Sequence, residues 1–105
     1  MQQLDVFENP SPRARRGYPL IAVLQSHLAD TGRDRVVAPL IPHERPPGAR
    51  TPRLLPPVRV NGRDYALLVP RLVVIDVTGL RQPLANLEPY RSEITAALDF
   101  LFLGI

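Results

Sequence analysis

Between Pro42 and Pro57 the chain carries six prolines and three arginines in sixteen residues. A proline has no N–H to donate and its ring fixes φ, so such a stretch is neither helix nor central strand. It reads as a long surface loop with polyproline-like stretches. Regular structure is expected on either side of it.

On the N-terminal side, Gln3-Leu4-Asp5-Val6-Phe7 alternates polar and apolar residues, the period of a half-buried strand. Asn9 to Gly17 is rich in breakers and charge and reads as a solvated loop. Tyr18 to Leu24 is apolar and partly β-branched, as expected of a buried strand. Asp30-Thr31-Gly32 reads as a turn, and Arg35 to Ile41 as a further strand. Pro39 inside that strand implies an edge or a bulge on the side its nitrogen faces.

On the C-terminal side, Asn61-Gly62 separates two apolar runs within Val58 to Val69, the signature of a tight hairpin whose central residues take positive φ. Leu72 to Val77 gives another strand, ended by Thr78-Gly79. From about Leu87 the period changes: Tyr90, Ile94, Ala97, Leu98, Leu101 and Ile105 recur every three or four residues, one face of a helix. Asn86 is the expected N-cap, with Glu88 and Glu93 near the positive end of the dipole. Phe100 and Leu103 fall off the apolar face, so the helix tail is apolar on more than one side. A second copy of the chain is expected to cover it. Five or so strands followed by one helix predict a single α+β domain spanning residues 1–105, a twisted antiparallel sheet or small barrel.

Several chemistries find no support. There is no cysteine, hence no disulfide, thiolate metal site or cysteine nucleophile. His27 and His43 lack the neighbouring ligands that a metal requires. Ser26 and His27 are adjacent, so in a strand they would point to opposite faces and could not pair as nucleophile and base. Asp76, in Val-Val-Ile-Asp-Val, is expected to face solvent or an arginine. The six glycines are dispersed, with no phosphate-cradling run. No cofactor is expected. The first residues show no secretory signal, and no apolar stretch approaches the ~20 residues that span a bilayer; a cytoplasmic protein is expected.

All thirteen basic residues are arginines, and the net charge is +3. That balance suits nucleic acid or an acidic protein and does not choose between them. Arg13, Arg15 and Arg16 form one cluster; Arg45, Arg50 and Arg53 lie in the proline-rich loop. Two readings stand for these clusters: charge that keeps loops solvated, or a landing surface for an acidic peptide.

The tail Ala97-Leu98-Asp99-Phe100-Leu101-Phe102-Leu103-Gly104-Ile105, a helix ending in aromatic-X-Gly-Ile, resembles the CcdB family of toxin–antitoxin toxins. Gln3 to Phe7, Leu24-Gln25-Ser26, Asp30-Thr31, Arg35 to Leu40, Pro57 to Gly62 and Tyr65 resemble further family segments in the same order. The resemblance implies an SH3-like barrel-type sheet with a C-terminal helix, shared with the MazF and Kid ribonuclease toxins. It implies a homodimer joined through sheet and helix ends, and a non-enzymatic toxin. The best-known member traps DNA gyrase on cleaved DNA by binding its A subunit through the last three residues. An acidic segment of the CcdA antitoxin removes it. DNA contact is then indirect, through the toxin–antitoxin complex.

Carried onto this chain, the target-binding residues are Leu103, Gly104 and Ile105, with Asp99 one helical turn earlier. Leu4, Phe7, Ser26 and Leu28 match strand positions lining the same surface. The arginines 13, 15, 16, 45, 50 and 53 are the expected antitoxin contacts. Where the best-known toxin has tryptophan, this chain has Leu103. Two alternatives accompany this reading: a ribonuclease on the same fold, for which Arg13, Arg16 and Thr31 are candidates, and a non-toxic family member.

Overall fold

The computed structural model describes residues 1–43 and 52–105; Arg45 and Arg50 lie outside the described residues. Among the described residues there are seven strands: β1 (Asp5–Glu8), β2 (Leu20–Val23), β3 (Asp34–Pro42), β4 (Pro57–Val60), β5 (Arg63–Leu67), β6 (Val73–Asp76) and β7 (Ala85–Asn86). One α-helix, α1 (Arg91–Leu103), follows. The strands form one antiparallel, nearly closed barrel-like sheet in the order β4-β5-β3-β2-β1-β7, with β6 also on β3.

The sequence expectation of about five strands missed β7, a two-residue strand too short to carry a period. It pairs Asp5 with Asn86 and Val6 with Ala85. It thereby ties the chain's start to the segment that launches the helix.

Both faces of β2 are buried, which is why Leu20 to Val23 is uninterruptedly apolar. Leu20 and Ala22 join the main core with Leu4, Val6, Leu40, Leu67 and Leu87, capped by Ile94 and Ala97 of α1. Ile21 and Val23 point the other way, into a smaller cluster with Phe7 and Val37, covered by Ile75 and Leu80. The alternation within β1 follows the same rule, so its expected half-burial is full burial of Asp5, Val6 and Phe7.

Pro39 is not at a sheet edge. It pairs with Ile21 on one side. On the other side β3 changes partner, from β6 against Asp34–Val37 to β5 against Leu40–Pro42. The Pro39 carbonyl accepts the Leu68 N–H at 2.9 Å. A strand residue turns its N and O to the same side, so the missing N–H falls in the break between partner strands.

The β4–β5 hairpin turns through Asn61 (φ 51°) and Gly62 (φ 82°), as the Asn-Gly pair requires. Asp30 caps its turn by accepting the Gly32 N–H at 2.9 Å. The helix begins four residues later than the apolar period implied. A 3-10 turn, Glu88–Tyr90, intervenes, and the Asn86 side chain accepts the Glu88 N–H at 2.8 Å. Asn86 therefore caps this turn and not α1. Pro89 explains the offset: it suits the first positions of a helical turn.

Candidate functional site

The helix is anchored by its first half and exposed at its end. Ile94 and Ala97 are buried, and Leu98 and Leu101 pack against the main core. Beyond them Phe102 and Leu103 are 67% and 68% exposed, and Ile105 is 77% exposed. Gly104 ends the helix in the left-handed region (φ 73°), and its N–H donates to the Phe100 carbonyl at 3.1 Å. This is the αL cap that glycine adopts without a Cβ penalty. Ile105 was expected to continue the apolar helix face; the cap instead turns it off the helix axis. Among the described residues a Cβ on Gly104 would meet nothing within 4 Å, so crowding by them does not require the glycine.

Asp99 lies one turn before Leu103 on α1 and is partly buried. Ser26 and Leu28 sit after β2 in a turn, not in a strand: Ser26 Oγ accepts the Leu28 N–H at 3.1 Å, and its carbonyl accepts the Ala29 N–H at 3.1 Å. The opposite-face argument for Ser26 and His27 therefore does not apply to them. Leu28 is 85% exposed. Its neighbour His27 lines a pocket of about 290 Å³ with Gln2, Gln3, Asn86, Glu88 and Arg91. That places the turn beside the start of α1, and the tip lies a 13-residue helix further on, about 20 Å.

Two expected contact residues are almost fully buried. Leu4 is 2% exposed and Phe7 3%. Leu4 takes φ 73°, which lets its N–H bond the Val23 carbonyl at 2.6 Å while its carbonyl accepts the Leu87 N–H at 2.9 Å. Its side chain goes into the main core, and that of Phe7 into the second cluster. Both are core side chains that shape the sheet beneath the surface, and Phe7 also forms part of the wall of an open pocket with Leu80 and Arg81.

The polar cluster at the helix start holds the frame. Arg91 grips Glu88 with two charge-assisted bonds of 2.7 and 2.8 Å and also donates to Gln3 Oε1 at 3.1 Å. The Glu88 carboxyl is held below its usual range by the Arg91 hydrogen bonds and charge, and Arg91 is correspondingly raised.

The arginines divide by what they already hold. Arg15 pairs with Glu8 at 3.1 Å and donates to the Asn9 carbonyl at 2.9 Å, at the end of a loop pinned by the buried Asn9 side chain. Arg13 and Arg16 flank it on the exposed 3-10 turn Ala14–Arg16. Arg53 stands apart: its guanidinium lies 4.2 Å from the centroid of the Phe100 ring. Sequence reading gave Arg53 no special place, because nothing in a proline-rich loop says which helix residue it will meet.

Asp76 is exposed on β6, as expected. Hydrogen bonds from the Thr78 hydroxyl and N–H hold its carboxyl below the usual range, aided by the charge of Arg33. Among the described residues no group of three His, Cys, Asp or Glu side chains could hold a metal, and no helix is long and apolar enough to cross a membrane.

A sheet that closes on a C-terminal helix with an apolar Leu-Gly-Ile end is the arrangement the tail motif implied. The CcdB family, described as CcdB protein, matches residues 3–104. The chain belongs to the CcdB family. It is thus a toxin–antitoxin toxin of the CcdB type, with the family's barrel-like sheet and helix. No curated protein matches the chain closely.

Proposed function

We propose that this CcdB-family chain inhibits DNA gyrase without catalysing a reaction, binding the A subunit through Leu103, Gly104 and Ile105. The observation that carries this reading is the exposed apolar tip. Phe102, Leu103 and Ile105 are all more than half exposed at the end of a helix whose first half is anchored in the core. Apolar side chains held out on a rigid support are what an interface anchor needs, since little ordering entropy is lost on binding. Asp99 adds a polar group one turn back, and Leu28 extends the surface at the other end of α1.

The same reading makes the chain a homodimer, in the cytoplasm, held in check by a CcdA-like antitoxin with an acidic segment. Support for a twin comes from exposed apolar groups outside the tip: Val73 and Val74 on β6 are 50% and 58% exposed, and among the described residues β6 pairs only with β3. Support for an acidic partner comes from the charge of +3 and the arginine-bearing turn and loop.

The test is induced expression in a bacterial host of the intact chain and of one ending at Phe102, with assay of covalent gyrase–DNA complexes. Growth arrest with trapped complexes for the intact chain alone is expected. A truncated chain that still arrests growth would sink the assignment.

A further inference from the structure

Of the arginines in the described residues, Arg53 is the one already stacked closely on an aromatic ring. Its guanidinium is 4.2 Å from the Phe100 centroid, against 5.8 Å for Arg63 over Tyr65 and 5.9 Å for Arg71 over Tyr18. A guanidinium lying on a ring keeps its N–H donors at the rim, where a carboxylate can take two of them. No ion pair occupies Arg53 among the described residues, whereas Arg15, Arg59 and Arg91 each hold a carboxylate. Phe100 lies off the apolar face of α1, is partly exposed, and is not among the described hydrophobics packed on the main core. The ring is thus a platform at the surface.

Beside it runs a shallow, mainly apolar groove of about 250 Å³ between α1 and the 3-10 turn Pro52–Leu54, lined by Pro52, Arg53, Pro56, Pro57, Glu93 and Ala96. We infer that Arg53, held over the Phe100 ring, is the specificity-determining carboxylate site for an acidic peptide, whose neighbouring apolar side chain enters this groove. Phe100 is the positioning residue: it restrains a long side chain before the partner arrives, so less conformational freedom is lost on binding. This rests on the antitoxin part of the proposed function and, among the described arginines, narrows it to one held over an aromatic ring. It does not depend on what the tip binds.

The test is binding of a synthetic peptide of glutamates with interspersed leucines to the full chain, followed by calorimetry. Arg53→Met is expected to weaken binding more than Arg13→Met or Arg16→Met. Phe100→Leu, which keeps an apolar residue but removes the ring, is expected to weaken it about two- to five-fold, the size of an exposed cation–π contact. Phe100→Tyr restores it, and Arg53→Met with Phe100→Leu loses no more than Arg53→Met alone. Unchanged binding in Phe100→Leu, equal losses for all three arginines, or no binding of the peptide by the intact chain would each overturn the inference. Growth arrest is read separately, so failure of the gyrase reading is distinguishable from failure of this one.

Discussion

The Asn86 side-chain amide donates to the Asp5 carboxylate at 3.0 Å, joining β7 to β1 across nearly the whole chain. Asp5 is buried, and its other oxygen accepts the Gln2 N–H at 2.8 Å. The same Asn86 side chain donates to the Gln3 carbonyl at 3.1 Å and caps Glu88. One residue thus satisfies a buried carboxylate and starts the helical segment.

Replacing it should cost more than an ordinary surface change. Asn86→Ala leaves Asp5 short of a partner and Glu88 uncapped, so a loss of about 1–3 kcal/mol is expected. In a domain of this size that lowers Tm by at least about 4 °C. Asp5→Asn and Asn86→Ala combined should cost less than the sum of the two, because they share one bond. Additive losses in thermal melts would show that the pair is not coupled.

Asp76 predicts how stability responds to acid. Its folded-state pKa lies below the ordinary value, because Thr78 donates to the ionised carboxylate from its hydroxyl and N–H and Arg33 is near, which together outweigh desolvation; Asp34 is its pairing partner on β3. A carboxyl depressed on folding contributes stability that is fully present above the unfolded value and is lost as pH falls through the folded one. The contribution should disappear at pH values below the usual carboxylate range. Thermal melts followed from about pH 5 to about pH 2 should fall less steeply for Asp76→Asn than for the parent. Equal slopes would mean that other carboxylates carry the whole acid response.

The Asn61-Gly62 hairpin, the unbroken apolar run of β2 and the apolar period of α1 were legible because each is a local pattern with one physical solution. The tip was legible for a different reason: its motif resembled a family. The positive φ of Leu4 was not readable, since it goes with bonds to Val23 and Leu87, both distant in sequence. The expected strand at Ser26 failed because its hydroxyl offers the backbone a turn instead. Pairing of Arg53 with Phe100 is a tertiary fact with no local signal.

Leu103 offers a direct test of the tip. At 68% exposure it contributes little to the core, so Leu103→Trp should leave Tm unchanged. An aromatic anchor at a protein interface is worth about 2 kcal/mol or more when truncated, and leucine buries less area and cannot stack. Leu103→Trp should therefore bind purified gyrase A subunit about ten-fold more tightly than the parent. Unchanged affinity would place this side chain outside the contact.

Gly104 has two possible reasons to be glycine, and they can be separated. One is the left-handed cap at φ 73°. The other is close approach of the target to a backbone without a side chain. Asparagine tolerates the left-handed region and alanine does not. Gly104→Ala should therefore fray the last turn, at a cost of about 1 kcal/mol, seen as faster exchange of the Gly104-position amide that bonds Phe100. Gly104→Asn should keep that protection. Because the described residues leave the Cβ position open, an objection to a side chain there beyond the backbone strain at φ 73° would come from a partner. Close approach predicts that both variants weaken gyrase binding, Asn included. An Asn variant that binds as the parent does would reduce the role of Gly104 to ending the helix.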